Sequence, residues 1–398
     1  MTDIVTTKKA LLRPLGRVMA VAEKKSTMPA LACVHITQES PGLLRLRATD
    51  LYLSLTDTAE MTAEATKSGK AKGPPPVEVK FPEEGLAVQA KELLERIQVM
   101  PDGPIVLSID GTKFEVKAQG HARRFRMQAL PGSDYPSPIT PDDGSASVTL
   151  PASTLRDLCE KVVCSISDDE TRAHLNAALL DWKDGALRMT STDGHRLHRH
   201  RVSADGSAAA ISSLLIPKKA IKALQKFVSD CEASDESANI KVTQSGSNVF
   251  FDHGAASFVC RTVDAQFPPA DQVIPQNAPH HCTAPRAALL DALKAVGIAA
   301  DSTTNGVKLT FAKETLTLES QDSKTAGDAT DEVPIHGYEG TKLSIGFNGR
   351  YIVEALSVIE TDEVALEFSG AIDPLVVRPM VEGGAEAGFL AVLMPMRI

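Results

Sequence analysis

The side chains best suited to chemistry are concentrated in residues 193–201, which read DGHRLHRHR. Histidine and aspartate are common zinc ligands, so His195, His198 and His200 together with Asp193 form a candidate metal site. In a strand, however, His198 and His200 share one face, and the three arginines of this run would repel a divalent cation. The chain contains no HExxH or other recognisable ligand spacing that would complete the site. We therefore predict no bound metal and no cofactor.

Other catalytic motifs are also missing from the sequence. A GxSxG nucleophile context, a Walker A loop and a Rossmann glycine pattern do not occur. A Ser/His/Asp triad remains an alternative, because such triads are recognised by geometry and not by sequence position. We interpret the chain as a binding and assembly protein with no catalytic residues. The alternative is a metal-dependent enzyme of nucleic-acid metabolism that uses the histidine cluster.

The polar turn at Asp193 ends a strand-like run that occurs three times in the chain. The copies are residues 42–50 (GLLRLRATD), 185–193 (GALRMTSTD) and 314–322 (ETLTLESQD). One amphipathic helical pattern precedes each copy and another follows it, and alternating strand patterns come next. The predicted fold is α+β, with three repeated domains of two helices plus antiparallel sheets each. We expect the turn after Asp193 to be special to the second copy. The predicted helices are residues 8–18, 91–100, 153–164, 218–228, 286–296 and 349–359.

Two proline-rich joints divide the chain. Residues 135–144 (YPSPITPDDG) and 267–279 (FPPADQVIPQNAP) are typical of extended linkers, because proline fixes φ and removes a hydrogen-bond donor. Lysine, glycine and proline in residues 63–76 predict a surface loop, with a lineage-specific contact as the alternative. The predicted domains are domain 1 at residues 1–143, domain 2 at 144–279 and domain 3 at 280–398.

Composition limits the classes of protein that the chain can represent. No run approaches the ~18 apolar residues of a membrane helix, and the first residues show no secretory pattern. The six cysteines form no CxxC pair. We expect a cytoplasmic protein with no membrane partner. The net charge of −9 disfavours a chain that coats itself with nucleic acid, but it leaves room for a localised basic surface.

Basic residues recur on the predicted helices. Each basic stripe is either the solvated face of an amphipathic helix or part of one surface that meets a phosphate backbone. Because aromatic residues are only 4 % of the chain, few could stack on bases, so such binding would be sequence-independent and sensitive to salt. The candidate phosphate-facing residues are Lys9, Arg13, Arg17, Lys24, Lys25, Arg156, Lys161, Lys218, Lys219, Lys222, Lys226, Arg286, Lys294 and Arg350.

Two motifs about 200 residues apart carry a resemblance to a known family. They are TDGHRL at residues 192–197 and the terminal MPMRI at residues 394–398, supported by TDL at 49–51 and GFN at 346–348. Nearly the whole chain resembles the bacterial DNA polymerase III beta subunit family, the sliding clamps. The resemblance implies three similar domains per protomer and two protomers that close head to tail into a ring. Helices would line the hole and turn the basic residues towards double-stranded DNA.

The resemblance also implies a cleft between the second and third domains that accepts short peptide motifs. Its partners would be the replicative DNA polymerase, the clamp loader and other proteins with clamp-binding motifs. Leucine, valine, isoleucine and methionine would form an adaptable apolar pocket, and arginine and histidine would supply a polar rim. The implied cleft residues are Arg172, Leu175, Thr192, Gly194, His195, Arg196, Leu197, Pro268, Val273, Asn348, Tyr351, Ile372, Val392, Leu393, Met394, Pro395, Met396 and Arg397.

The chain departs from the family pattern at three positions. Gln272 stands where many relatives have arginine, Thr304 lies near a replaced aromatic residue, and Pro374 replaces a small polar residue. These departures predict a different peptide preference. For the homodimer interface between domain 1 and the partner's domain 3, the resemblance suggests Phe125 and Ile298. A clamp-derived accessory protein that binds partners without encircling DNA is a further alternative.

Overall fold

The structure is a computed structural model that describes residues 2–24, 26–61, 81–203, 212–322, 327–381, 384–385 and 388–397. The predicted loop at residues 63–76 lies outside the described residues, as do Lys25 and Ile398. Within the described residues the chain forms six α-helices and 25 strands. The helices are α1 Lys8–Val18, α2 Ala90–Gln98, α3 Ala152–Val162, α4 Lys218–Glu232, α5 Arg286–Gly297 and α6 Gly349–Ser357. The strands are β1 Thr2–Thr7, β2 Cys33–Ser40, β3 Leu43–Thr49, β4 Leu53–Glu60, β5 Leu86–Gln89, β6 Pro104–Asp110, β7 Lys113–Ala118, β8 Arg124–Pro131, β9 Ala146–Pro151, β10 Ala177–Lys183, β11 Ala186–Thr192, β12 Arg196–Ser203, β13 Leu214–Pro217, β14 Asn239–Ser245, β15 Asn248–His253, β16 Ala256–Arg261, β17 His280–Pro285, β18 Gly306–Phe311, β19 Thr315–Asp322, β20 Gly327–Pro334, β21 Leu343–Asn348, β22 Glu363–Phe368, β23 Leu375–Val381, β24 Gly384–Ala385 and β25 Phe389–Leu393.

Helix α1 shows how the sequence pattern produces these elements. Thr7 precedes the helix in an extended conformation, and its side-chain oxygen accepts a hydrogen bond from Ala10 N at 3.1 Å. This N-cap satisfies one of the backbone donors that the first helical turn leaves unpaired. Leu11, Leu15 and Val18 are buried on one side of the helix. All six predicted helices are present, with ends that shift by no more than four residues from the predictions.

One compact unit contains the chain up to Ser153 together with Ala223–Thr262. Its twelve strands form one antiparallel sheet in the order β1-β6-β7-β8-β5-β2-β3-β4-β16-β15-β14-β9. β4 pairs with β16, where Leu53 lies opposite Cys260. This pairing makes a single sheet from strands of the predicted first and second domains.

The second compact unit contains Thr154–Lys222 and the chain from Val263 onwards. Its larger sheet has the order β13-β10-β11-β12-β25-β23-β22-β17, with β24 beside β23, and a smaller sheet has the order β20-β19-β18-β21. β12 pairs with β25, where Leu197 lies opposite Val392. The strand after the polar turn therefore again pairs with the last strand of the next predicted domain.

The α+β class is confirmed by these helices and antiparallel sheets. The domain boundaries near residues 143 and 279 remain predictions. In the described part of the chain, no helix is long and apolar enough to cross a membrane.

Candidate functional site

The turn between β11 and β12 is held by its own side chains. The Asp193 carboxylate accepts hydrogen bonds from His195 N at 2.9 Å and Arg196 N at 3.1 Å. The Thr192 hydroxyl accepts one from Gly194 N at 3.1 Å and donates one to Arg196 O at 2.6 Å. Gly194 has φ of 95°, which L side chains rarely adopt. The turn alone therefore explains threonine, aspartate and glycine at these three positions.

The same turn occurs in the first copy of the repeat. Asp50 Oδ1 accepts hydrogen bonds from Tyr52 N at 2.9 Å and Leu53 N at 2.6 Å. The Thr49 hydroxyl bonds Leu51 N at 3.1 Å and Leu53 O at 2.7 Å. Leu51 has φ of 76° at the place where the second copy has glycine. The prediction that this turn is special to the second copy is therefore wrong. The two copies differ in the residues of the turn: Gly194 and His195 in the second copy stand where the first has Leu51 and Tyr52.

A pocket of about 240 Å³ lies beside the Asp193 turn. Its walls are this turn with the start of β12, the proline-rich segment after Phe267, and the end of β25. Met394 N donates a hydrogen bond to His195 O at 2.9 Å, which ties the chain after β25 to the turn. Because most lining side chains are apolar, the pocket suits apolar groups oriented by a few polar contacts. The lining residues are His174, Leu175, Thr192, Gly194, Arg196, Leu197, Pro268, Pro269, Ala270, Gln272, Val273, Val392 and Met394.

The structure brings one part of the predicted cleft into this pocket and leaves the rest outside its lining. The predicted cleft residues that line it are Leu175, Thr192, Gly194, Arg196, Leu197, Pro268, Val273, Val392 and Met394. The predicted cleft residues that do not line it are Arg172, His195, Asn348, Tyr351, Ile372, Leu393, Pro395, Met396 and Arg397.

Four lining residues were missed by the sequence prediction as cleft residues. They are His174, Pro269, Ala270 and Gln272, the last of which was noted only as a departure from the family pattern. Three of them continue the proline-rich joint directly after Pro268, and the fourth precedes Leu175. Closeness in sequence to predicted cleft residues was therefore the available signal, whereas the 3-10 turn at Ala270–Gln272 was not predicted from the proline-rich pattern.

Arg196 is a pocket residue whose three guanidinium nitrogens each donate a hydrogen bond inside the protein. Its Nε donates to Asp193 Oδ2 at 3.0 Å, and its other nitrogens donate to Glu354 Oε2 and Cys164 O. The guanidinium also lies 4.2 Å from the centre of the Tyr351 ring, a cation–π geometry. Arg196 therefore fixes the turn to α6, and its role in the polar rim of the cleft stays a prediction.

The two arginines beside Glu354 favour the ionised form of its carboxyl group. Burial alone would raise the pKa of Glu354, but hydrogen bonds from Arg196 and Arg350 outweigh it and hold the pKa below its usual range. The Arg196–Glu354 pair is thus a charged link between the turn and α6.

Other predicted cleft residues have structural partners or are exposed. The Asn348 side chain accepts a hydrogen bond from Arg350 N at 3.1 Å and so caps α6. Arg172 is exposed and donates to Asp169 at 2.8 Å. Ile372 is 88 % exposed, which leaves an apolar side chain in water.

Two residues of the histidine cluster, His198 and His200, point into the protein interior, whereas His195 is exposed. His198 Nδ1 donates to Lys161 O at 3.0 Å, and His200 Nε2 donates to Asp157 Oδ2 at 2.8 Å. Burial lowers the pKa of His198 to about 4. Among the described residues, no group of three or more His, Cys, Asp or Glu side chains is arranged to hold a metal. Two of the three histidines of the metal alternative therefore already have partners within the fold.

Two candidate phosphate-facing residues are buried and paired, which contradicts their predicted exposure. The Arg17 guanidinium is 3 % exposed and donates to Asp57 at 2.9 Å and to Asp230 O at 2.7 Å. The Lys161 ammonium donates to Glu360 at 3.0 Å. Both residues were predicted to lie on the solvated side of their helices, but acidic groups of other elements bind these two side chains inside the protein.

The other candidates differ in exposure. The half-buried ones are Arg156, Lys218 and Arg286. The exposed ones are Lys9, Arg13, Lys24, Lys219, Lys222, Lys226, Lys294 and Arg350.

The two suggested dimer residues differ in exposure and in the element that carries them. Phe125 is half-buried on β8 and lies opposite Val116 of β7. In the described residues, no strand pairs with the other side of residues 124–128, since β5 pairs β8 only from Ala129 onwards. Ile298 is 88 % exposed directly after α5.

Comparisons with known proteins cover the whole length of the chain. Three family models match: the DNA polymerase III beta subunit N-terminal domain at residues 2–140, its central domain at 149–269 and its C-terminal domain at 271–397. The beta sliding clamp of Caulobacter vibrioides is 28 % identical over 397 residues, covering 98 % of both chains. That of Pseudomonas putida is 27 % identical over 392 residues, again covering 98 % of both.

Solved structures give the same result. A DnaN sliding clamp from Bartonella birtlesii bound to griselimycin is 28 % identical with a TM-score of 0.87. One from Pseudomonas aeruginosa, also bound to griselimycin, is 25 % identical with a TM-score of 0.86. Both matches cover 100 % of each chain. The chain therefore belongs to the DNA polymerase III beta subunit family, the bacterial sliding clamps.

Proposed function

We propose that two copies of this chain close head to tail into a ring around duplex DNA, and that the pocket beside the Asp193 turn receives short peptide motifs of the replicative polymerase and the clamp loader. As a sliding clamp, the protein is a processivity factor with no catalytic activity of its own. The observation that carries the proposal is the match of all three domain families in order along the chain.

The distribution of exposed basic residues supports sequence-independent contact with DNA. Lys219, Lys222 and Lys226 are exposed on α4, while their neighbours Ala220 and Leu224 are buried. Exposed ammonium groups on a helix meet phosphates as point charges and read no base sequence. A ring retains DNA by closure, so weak contacts of this kind are sufficient and allow sliding.

The chemistry of the pocket supports the binding of short peptides. Leu197, Val392 and Met394 present apolar surface, and Thr192 and Gln272 present hydrogen-bonding groups. Methionine adapts its shape to different side chains, which suits a site with several partners. A few anchors of this kind can provide most of the affinity for a short segment. Other proteins with clamp-binding motifs would use the same pocket.

Two strand edges of opposite charge support a head-to-tail dimer. The unpaired side of residues 124–128 belongs to a segment that carries Arg124 and Arg126. β20 is the edge strand of the four-stranded sheet and carries Asp328, Asp331 and Glu332. An edge strand presents unpaired N–H and C=O groups, and a complementary edge of another copy would satisfy them. Because the two edges differ, such a contact is heterologous, and two of them close a ring.

We also place the protein in the cytoplasm, where bacterial DNA is replicated. Its six cysteines are free in the structure, as is usual in a reducing compartment.

Retention on circular DNA tests the proposed ring. The protein is loaded onto a nicked circular plasmid by the clamp loader of the same organism, and the complex is isolated by gel filtration. We expect the protein to remain bound to the circle at high salt and to be released when a restriction enzyme linearises it. Retention on linear DNA, or loss from the intact circle, would contradict a topological ring and favour an accessory protein that does not encircle DNA.

A further inference from the structure

One wall of the pocket is the proline-rich segment after Phe267. A carboxylate of this wall, that of Asp271, bonds to the larger sheet of the second compact unit. Asp271 lies in a short 3-10 turn, Ala270–Gln272, between two residues that line the pocket. Its Oδ2 accepts a hydrogen bond from Lys183 Nζ at 2.7 Å, and its Oδ1 accepts one from Arg199 Nη1 at 2.6 Å. Asp271 thus connects the wall to the end of β10 and to the middle of β12.

The anchor on the sheet side is itself rigid. The Arg199 side chain is 11 % exposed, and its Nε donates to Thr190 Oγ1 at 3.1 Å on the neighbouring strand β11. The bond to Thr190 holds the planar guanidinium of Arg199 in one orientation. Its N–H groups therefore point in defined directions, and these directions define where the Asp271 carboxylate can bind. The Asp271 position is therefore defined by the sheet and not by the linker that carries it.

Apart from this attachment, the wall meets the sheet through apolar contacts. Ala270 and Ile274 are buried against Leu197 and Val392 in a small apolar cluster, while Gln272 and Val273 are exposed. In a 3-10 turn, residues on either side of Asp271 point away from the direction of its side chain. With the carboxylate tied to the sheet, Gln272 and Val273 are directed towards the pocket that they line.

We infer that Asp271 is a positioning residue of the peptide pocket: by holding the 3-10 turn to Lys183 and Arg199, it sets the place of Gln272 and Val273 and so the affinity for partner peptides. This inference depends on the proposed role of the pocket in binding the polymerase. It adds a residue that does not line the pocket and that the sequence did not mark as functional.

The same contacts place no unpaired charge of Asp271 at the pocket. Asp271 occupies both nearby cations, and the residue that faces the pocket beside it is the uncharged Gln272. Hydrogen bonds from Lys183 and Arg199 lower the pKa of Asp271 to about 2, so its carboxylate stays ionised under ordinary assay conditions. The attachment consequently does not vary with pH near neutrality, but salt screens it because it is half-exposed.

Binding to the catalytic subunit of the organism's replicative polymerase, immobilised for surface plasmon resonance, tests the inference. We expect Asp271→Asn to raise Kd by roughly three- to tenfold at low salt, as the loss of two partly exposed charge-assisted bonds implies. Asp271→Glu should recover part of the affinity. The ratio of variant to wild-type Kd should approach one in 1 M salt, where screening already weakens the wild-type attachment.

A matched control separates positioning from a general loss of charge. Glu319→Gln removes a salt bridge of the same 2.7 Å length, to Lys308, with both side chains about 40 % exposed and outside the pocket lining. This variant should leave Kd unchanged. The combined variant Asp271→Asn with Arg199→Gln should bind no more weakly than Asp271→Asn alone, because both changes break the same contact.

A pocket variant distinguishes failure of the inference from failure of the proposed function. Val273→Asp puts a charge into the pocket at an exposed position and should abolish polymerase binding. If Val273→Asp has no effect, the pocket assignment fails, and the inference fails with it. If Val273→Asp abolishes binding while Asp271→Asn leaves Kd unchanged at low salt, only the inference is overturned.

Discussion

Arg196 shows how the environment of a single residue decides its role. Asp193, Glu354 and the Cys164 carbonyl together satisfy its guanidinium, and the Tyr351 ring covers it. An arginine in this state cannot turn towards a ligand without breaking its hydrogen bonds to two carboxylates. Its contribution to the pocket is therefore the position of the turn.

Replacing Arg196 should destabilise the fold. We expect Arg196→Ala to lower the free energy of unfolding by about 3 kcal/mol, because it removes charge-assisted hydrogen bonds to Asp193 and Glu354, of which only Glu354 keeps another cation, Arg350. Urea denaturation followed by the fluorescence of Trp182, the one tryptophan of the chain, measures this change. Arg201→Ala, on the same strand but exposed, should have little effect. Equal losses for the two variants would contradict the role assigned to Arg196.

His198 should make stability depend on pH. Burial lowers its pKa from the ordinary 6.5 to about 4, so the folded state holds it neutral while the unfolded state protonates it first. Its contribution to stability is complete above pH 6.5 and is lost progressively as the pH falls towards 4. Between pH 6.5 and 5 the loss is roughly 2 kcal/mol.

The same urea assay at pH 7.5, 6.5 and 5 measures this loss. His198→Gln should flatten the pH dependence in that range, whereas His281→Gln, at an exposed position, should retain it. The lowered pKa of Asp157, caused mainly by its hydrogen bond with His200, acts at lower pH, below an ordinary carboxyl pKa. A His198→Gln variant with the full wild-type slope would refute the assignment.

At the scale of elements, the strand that follows each polar turn connects two predicted domains. β4 pairs with β16 in one compact unit, and β12 pairs with β25 in the other. In the second case, the strand pairing brings the last residues of the chain beside the turn. Because β25 ends at Leu393, the next residue, Met394, lies beside the turn and lines the pocket.

Removal of residues 394–398 should separate binding from folding. β25 keeps its pairs with β12 and β23 in this variant, because its last paired residue is Leu393. The pocket loses Met394, so we expect polymerase binding to weaken by at least tenfold in surface plasmon resonance, as is typical when an anchor residue is lost. The melting temperature should be nearly unchanged. Val381→Ser, at an exposed position on β23, is the control that should bind normally.

At the scale of the whole molecule, an acidic protein must hold a polyanion. The net charge is −9, yet exposed lysines recur on α4 and the other basic helices. Closure around DNA removes the need for high affinity, so a few such contacts suffice. The dimer is thus the feature on which the activity of the whole molecule depends.

Ile298 offers a test of that dimer. It is 88 % exposed in the single chain, and so is Ile372. We expect Ile298→Asp to shift the protein from dimer to monomer at micromolar concentration, since a buried unpaired charge opposes association. Size-exclusion chromatography with light scattering gives the mass. Ile372→Asp, equal in residue type and exposure, should remain a dimer; a dimeric Ile298→Asp protein would remove Ile298 from the interface.

Much of the fold and part of the site could be predicted from sequence. The six helices follow from apolar spacing and from caps such as Thr7, because helix formation depends on residues three or four apart. The TDGHRL and MPMRI motifs pointed to Leu197 and Met394, which line the pocket in the structure. Their inclusion in one pocket with Pro268 required the pairing of β12 with β25.

The sequence by itself determined the repeat, the α+β class and the local Thr-Asp turn, all of which depend on near neighbours. Only the tertiary structure decided which charged side chains are available. Arg17, Lys161 and Arg196 read as free cations in a linear pattern, but acidic partners distant in the chain bind them. Asp271 likewise gains its role from Lys183 and Arg199. Ion pairs between distant residues depend on how the strands and helices pack, and a one-dimensional pattern does not contain that arrangement.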